Sequence, residues 1–558
     1  MTGKKKVTEK ISYEQWCKEF SWEKEFARTD WDSKKELNVA HECCESWAKK
    51  EPDRIMFYWV GKDLDERETW AYGQLNDRSN QVANMLRELG VKRGDVVAMI
   101  LPRRPEMIAV HYGIWKMGAI AAPLFPALGA EAIEFRARDA NIKYIIADTN
   151  YRPVIDKIKG HKFEKIITVS YGGEIPSGDV DFALAADKAS KEFEIVRTSP
   201  EDPCSLIYSS GTTGLPKGEV WHHQFIISFL NYLEYVADVR PGELVWNGAD
   251  PGWAVGQAAI TGPSFIGARF IFFEGMFDPI KYFRILSEYD VDEFMHAPTA
   301  YRGMMAAGDA IDEYKDRIDL KVASALGEAT PASVVEWFRD KLGITVLDTY
   351  GYSEAMMIVN NYSRIDMEIK PGSMGLPSPA WDTDIIDDDG NRLGPGQIGE
   401  IAPRNDKGIF LTKEYLNRPE ASEKLFRSEW RRSGDLAMKD EDGYFWFQGR
   451  KDDVINSSGY RIGPEEVEGS ILRHKAVADC AVAGKPDKER GEIVKAFVKL
   501  KEGFEPSDKT IEEIQQLVRE GVGKHAYPRE VEFIDEIPAT PAGKIQRFKL
   551  RAREKGKQ

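Results

Sequence analysis

The sequence predicts an α/β protein: a large N-terminal domain of helix-covered parallel sheets with a small β subdomain, followed by an α+β C-terminal domain. Three observations carry this expectation. Helical and strand patterns alternate from about Leu75, short strands with turn chemistry replace them after Glu354, and a charged stretch, GRKDDVINSSGYRIG, introduces a last unit. At 558 residues the chain exceeds what one hydrophobic core can fill, and roughly two to four packed units are expected.

GQLNDRSNQVANMLRELG sets Leu75, Val82, Met85, Leu86 and Leu89 on one helical stripe and stops at Gly90. VVAMIL reads as a buried strand, EMIAVHYGIWKMG as a helix, and KYIIAD and KIITV as further strands. Beyond a Gly-rich segment near residue 211, RFIFFEG, DEFMHAP, LKVASALG and ITVLDTYG read as strands, with PIKYFRILSEYDV and PASVVEWFRDKLG as helices between them. Such alternation gives a parallel sheet covered on both faces. Ligands gather beyond the carboxyl ends of its strands, which puts the loops GEAT and TYGYSE on one rim. The turns DDDGN and GPGQ mark a β subdomain running from after Glu354 to about Gln448. EEVEGSILRH, ADCAVAG, EIVKAFVKL, TIEEIQQLVREGV and the basic tail QRFKLRAREK then suffice for a compact unit of about a hundred residues.

The formal charge of -15 argues against a nucleic-acid scaffold or a polybasic membrane binder, because both need a net positive surface. The five cysteines are scattered, with no CxxC pair or histidine spacing for zinc, which points to a reducing compartment. The adjacent Cys43 and Cys44 read as ordinary helix cysteines rather than a redox pair. The start lacks the apolar core of a signal peptide, the end KGKQ carries no peroxisomal address, and no apolar run is long enough to span a bilayer. A soluble cytoplasmic protein without nucleic-acid partner or stable membrane insertion is expected, its oligomeric state left open.

Four segments carry chemistry. YSSGTTGLPKG, residues 208–218, cannot be a helix. Gly211 and Gly214 let backbone amides approach an anion, Ser209, Ser210, Thr212 and Thr213 add donors, and Lys217 adds a charge, a set suited to a polyphosphate. The order GxxGxxKG differs from a Walker loop, so this is another phosphate loop, or else a Gly/Ser-rich surface turn. In DTYGYSE, residues 348–354, Glu354 offers a carboxylate to magnesium, Tyr350 a flat face to a purine and Ser353 a donor to a phosphate oxygen. In RRSGDLAMKDEDGYFWFQGRKDD, Asp435 follows a Ser-Gly turn and Arg450 follows a strand. An ionised Asp only accepts, which matches the two hydroxyls of a ribose, although a solvated charge pair on a β turn uses the same residues. PATPAGKIQR, residues 538–547, delivers Lys544 on a Pro/Gly-rich loop. A carboxylate attacking a phosphate needs cations to neutralise the developing charge, and a lysine on a mobile arm supplies one; otherwise Lys544 is a solvated surface group.

In this order and spacing the four segments resemble the acyl-adenylate-forming superfamily of acyl-CoA synthetases, peptide-synthetase adenylation domains and luciferases, from about residue 70 onward. The resemblance implies an N-terminal domain, residues 1–451, holding nucleotide and acyl group, and a mobile C-terminal domain, residues 452–558, rotating about Asp452 between two half-reactions. It implies Lys544 across the reacting carboxylate and α-phosphate, Glu354 on Mg2+, and Ser353, where most members have Thr, on the α-phosphate. Asp435 and Arg450 would hold the ribose. Asp348, Thr349, Tyr350, Arg461 and the loop Gly327, Glu328, Ala329 would complete the nucleotide site, with Ala329 replacing the Pro of many relatives. Rotation would withdraw Lys544 and present Ser458, Gly459 and Tyr460 to the pantetheine arm of coenzyme A, Gly459 leaving it room.

SSGYRIGPEEVE, ERGEIVKAFV and YPREVEF are most similar to the medium-chain acyl-CoA synthetases, which implies Arg490, Arg519 and Tyr527 on the coenzyme A nucleotide; Arg519, placed by spacing alone, reads equally as a solvated helix arginine. Acetyl-specific relatives carry Trp where Gly351 stands. A pocket floor without a side chain is expected to admit an acid of about four to eight carbons, straight or branched, each buried methylene adding roughly 0.8 kcal/mol. Trp253 in DPGWAVG lines that pocket or fills a core, and His296 in FMHAPT sits near the carboxylate or is a satisfied core histidine. The expected activity is ATP-dependent acyl-CoA synthesis from a carboxylic acid, ATP and coenzyme A. A superfamily ligase with another acceptor is the first rival. A non-catalytic nucleotide sensor is the second, and the presence of both Lys544 and Glu354 counts against it.

Overall fold

The computed structural model describes residues 5–126, 128–209, 216–451, 453–457, 460–487, 490–522, 526–539 and 545–555. Two large mixed sheets dominate the N-terminal part. In the eight-stranded sheet, the run from Ile120–Pro123 through Val96–Ile100, Tyr144–Asp148 and Lys165–Val169 is parallel, and the antiparallel pair Pro203–Ser209 and Lys217–His222 is added at one side. In the nine-stranded sheet, Ile55–Val60, Arg269–Phe273, Leu244–Asn247, Glu293–His296, Val322–Leu326 and Val346–Tyr352 are all parallel neighbours. Their carboxyl ends share one rim, as the alternation of strand and helix patterns requires. Helix Tyr72–Glu88 buries Leu75, Val82, Met85 and Leu86, and helix Ala332–Leu342 stops at Gly343, whose φ of 69° suits a residue without Cβ.

The β subdomain is smaller than its turn chemistry implies. Met356–Asn360 and Leu376–Pro377 extend the nine-stranded sheet, and Thr412–Tyr415 joins the eight-stranded sheet beside Lys217–His222. Only Thr383–Ile386, Ile398–Pro403, Asp435–Lys439 and Phe445–Arg450 form the separate four-stranded sheet. A short polar strand pairs with whichever edge its turn delivers it to, and turn residues alone do not name that edge.

The first segment is a strap. Lys5 pairs with Asp290 and Asp292, Thr8 bonds Asp238, and Ile11–Ser12 runs parallel to Ile365–Asp366. Trp16 is fully buried against Tyr235 and Tyr362, while Trp22 donates to the Ala380 carbonyl at 3.0 Å. Residues far apart in the large domain are thereby tied together.

The C-terminal unit is a five-stranded sheet. Gly491–Leu500 lies at its centre, antiparallel to Val477–Asp487 and parallel to Glu530–Phe533. Helices Pro464–Ile471 and Asp508–Gly521 cover one face with Val467, Ile471, Ile514 and Val518, and the basic tail folds as helix Arg547–Lys555, placing Leu550 on the other face.

Candidate active site

The rim encloses a cavity of about 2050 Å³, several times larger than a pocket for one small ligand. Its walls bring together most of the described residues singled out by sequence. Ser209 and Lys217 stand opposite each other across the antiparallel pair, at the ends that lead into residues 210–216, and both line the cavity. Ser210, Gly211, Thr212, Thr213 and Gly214 lie outside the described residues, as do Asp452, Ser458, Gly459 and Lys544. Tyr460 and Arg461 belong to strand Tyr460–Ile462, and their side chains are likewise outside.

Tyr350, Asp435 and Arg450 form one linkage. The Tyr350 hydroxyl donates to Asp435 Oδ2 at 2.8 Å, and Arg450 Nη1 donates to Oδ1 at 2.9 Å. Asp435 and Arg450 are register partners on neighbouring strands, and Gly434, at φ 77°, lets the chain turn so that Asp435 enters the strand facing inward. Asp348 is buried and accepts from Thr330 at 2.7 Å; burial pushes its carboxyl up to about 7. Thr349 turns its hydroxyl to the Ala325 carbonyl. Gly327, Glu328 and Ala329 line the cavity, with Glu328 fixed by Thr299 at 2.7 Å and by Arg302 at 3.1 Å.

Glu354 accepts from the Tyr415 hydroxyl at 2.6 Å, and Ser353 Oγ stands 3.4 Å from its other oxygen. Tyr415 comes from a strand without any sequence motif; its ring also lies 4.9 Å from Lys217 Nζ. Beneath them Arg431 donates to the carbonyls of Glu354 at 2.5 Å and Thr412 at 2.9 Å, stacked on Phe410. Burial lowers its pKa to about 10, which leaves it charged at neutral pH. Glu219, unremarked in the sequence, is fully buried in the same cluster. Burial and then the charge of Glu354 push its carboxyl well up. Ser209, Ser353 and Trp221 lie near enough to oppose that rise, yet none is aligned to close a hydrogen bond to either Glu219 oxygen. The strand period offered a signal, because Glu219 sits two residues after Lys217 on the same face.

Trp253 lines the cavity near Phe125, as do Ala254, Val255 and Met357. His296 lines it too. Its Nδ1 accepts from the Ala297 N–H at 2.8 Å, which leaves the proton on Nε2, 3.2 Å from the Tyr282 hydroxyl; burial, then the Arg103 charge, lowers its pKa to about 3. Gly351 lines the cavity, and a Cβ there would lie 2.1 Å from the Met356 carbonyl oxygen and 2.8 Å from Met357 Cα. The close approach of two strands therefore also calls for glycine at this position.

Away from the cavity Arg519 stacks on Tyr527 at 3.9 Å, and Arg529, which no motif marked, donates to the Tyr527 hydroxyl at 3.0 Å. The Arg519 hydrogen bond, with the charges of Arg529 and Arg490, lowers the Tyr527 pKa.

Ser209 and Lys217, the Tyr350–Asp435–Arg450 linkage, Glu354 and an apolar chamber thus share one cavity, and comparison with known proteins gives the class of enzyme it belongs to. The family model described as AMP-binding enzyme matches residues 44–416, and that described as AMP-binding enzyme C-terminal domain matches residues 466–544. The acetyl-coenzyme A synthetase of Bacillus subtilis is 36% identical over 97% of this chain and 95% of its own length. The human mitochondrial acyl-coenzyme A synthetase ACSM3 is 34% identical over 93% of this chain and 90% of its own. The crystal structure of the anthranilate CoA ligase AuaEII in complex with anthranoyl-AMP superposes with a TM-score of 0.86 at 29% identity, covering 94% of this chain and 98% of that one. The chain belongs to the AMP-binding enzyme family and is an ATP-dependent, AMP-forming acyl-CoA synthetase of the adenylate-forming superfamily.

Proposed function

We propose that this synthetase activates carboxylic acids of about four to eight carbons, straight or branched, with a chamber in which each buried methylene adds roughly 0.8 kcal/mol. The apolar lining of Ala254, Val255, Trp253 and Met357 supports this size. The observation that carries the assignment of roles is the Tyr350–Asp435–Arg450 linkage in the wall of the cavity that also takes Ser209, Lys217 and Glu354. Asp435 receives the ribose hydroxyls, Arg450 and Tyr350 hold it in place, and the Tyr350 ring with Gly327–Ala329 borders adenine. Ser209, Lys217 and the loop between them take the triphosphate, and Ser353 meets the α-phosphate.

Magnesium fits this donor set, since it prefers one or two carboxylates together with substrate phosphates. Glu354 would hold it, and when bound it neutralises phosphate charge. Lys544 would act at the same place, a reading supported by Ile545, the next residue, which lines the cavity. A carboxylate oxygen of the acid attacks the α-phosphorus, the bond to the bridging β-phosphate oxygen breaks, and pyrophosphate leaves. The C-terminal domain, hinged at Asp452 between the two matched family segments, then turns. Ser458, Gly459 and Tyr460 line the pantetheine path, and Arg490, Arg519 and Tyr527, joined by Arg529, hold the coenzyme A nucleotide. The thiol attacks the carbonyl, its proton goes to solvent, and AMP departs.

Among the described residues no helix is long and apolar enough to cross a membrane. The five unpaired cysteines support a reducing compartment, and we place the enzyme in the cytoplasm. A screen of acids by coenzyme A-dependent AMP formation tests the substrate class. The highest kcat/KM is expected within the proposed length range; a preference for acetate over every longer acid would overturn it.

A further inference from the structure

We propose that Glu219 and Glu354 together form the carboxylate side of the divalent-cation site, so that Glu219 is a second protein group directed at the metal that accompanies ATP. The inference rests on the nucleotide placement given above. Glu219 is fully buried, yet neither carboxylate oxygen has a hydrogen-bond partner. Its neighbours are Ser209, at the entry to the phosphate loop, Ser353 and Glu354, all of which line the cavity. On the adjacent strand Tyr415 is its register partner and directs its hydroxyl to Glu354, so nothing there supplies a positive charge to Glu219. Arg431 spends its Nη1 on backbone carbonyls and its Nε on Asn405, and Lys217 forms no ion pair with Glu219 in the structure.

A buried carboxyl whose two oxygens meet no donor has its acceptor capacity unmet, and a divalent cation would meet it. Among the described residues no group of three or more His, Cys, Asp or Glu could cage a bare ion. Two carboxylates therefore need phosphate oxygens to complete an octahedral set, which makes metal binding depend on nucleotide.

Mn2+, whose free aqueous ion is counted by electron paramagnetic resonance, is the probe, titrated into protein with a non-hydrolysable methylene analogue of ATP. In Glu219→Gln and Glu219→Val the Mn2+ affinity of this ternary complex is expected to fall roughly 10- to 100-fold. Analogue affinity without metal should hold, since without the cation Glu219 has no part in binding phosphate. Melting temperatures without metal should equal or exceed wild type, because the carboxyl removed makes no hydrogen bond through either oxygen. Unchanged Mn2+ affinity overturns the inference, and so does a fall in melting temperature in both variants, which would make Glu219 a structural group. If Glu354→Gln alone weakens Mn2+, only this inference fails. If the wild type shows no nucleotide-dependent Mn2+ binding, the placement of the triphosphate fails with it.

Discussion

Replacing Lys544 with alanine is expected to slow adenylate formation by roughly 100- to 1000-fold, the loss typical of one charge-stabilising donor at a reacting centre. Thioester formation from supplied acyl-AMP should stay within about twofold of wild type, because that half-reaction makes no use of the lysine. Ala539 and Ile545 bridge as antiparallel partners, and the Gln546 N–H donates to the Pro538 carbonyl at 2.8 Å, so both ends of the segment carrying Lys544 are held together. Arg547, two residues past Ile545, is clamped by Glu468 at 2.7 Å and Glu465 at 3.0 Å and also lines the cavity. The residues flanking 540–544 thus pair with each other, and Ile545 and Arg547 border the chamber. Acid-dependent exchange of pyrophosphate into ATP reads the first step, and release of AMP from acyl-AMP with coenzyme A reads the second. Equal loss in both would contradict the division of labour.

Asp435→Asn is expected to raise the KM for ATP roughly 10- to 100-fold, since a hydrogen bond to a charged group is worth about 1.5–3 kcal/mol. The asparagine keeps the shape but turns one of two acceptor oxygens into a donor. Arg450 then loses the carboxylate it pairs with at 2.9 Å, or Tyr350 loses its acceptor at 2.8 Å. Either outcome loosens the wall against which the ribose would rest. The KM for the acid should change little, because the acyl lining from Trp253 to Met357 makes no bond to Asp435 in this linkage. Initial rates of pyrophosphate release against ATP and against acid separate the two, and an unchanged KM for ATP would remove Asp435 from the nucleotide site.

Much of this was legible in the chain because it depends on local pattern. Each parallel strand of the nine-stranded sheet between Arg269 and Tyr352 coincides with an apolar run, and Ser209, Lys217 and Ser353 stand at or just beyond strand ends, where side-chain period and glycine content mark them. What was not legible depends on pairing across long separations. Tyr415 reaches Glu354 only because Thr412–Tyr415 leaves the small β sheet for the edge beside Lys217–His222. Arg431 reaches Glu354 because residues 77 apart share one buried corner. The sequence shows a glycine at 351 but not its neighbour: the residue lines the cavity and also admits an adjacent strand, and the position of Met356 beside it is set by the fold. The strap formed by residues 5–22 has no periodicity to announce it; it acts through single anchors such as Trp16, Tyr13 and Trp22.

The most direct measurement follows an oxygen atom. Acid labelled with ¹⁸O in its carboxylate, turned over with ATP and coenzyme A, should leave one label atom in AMP for each acyl-CoA formed and none in pyrophosphate. Label in inorganic phosphate or pyrophosphate, or AMP free of label while thioester accumulates, would mean that the acid never attacked the α-phosphorus in this chamber.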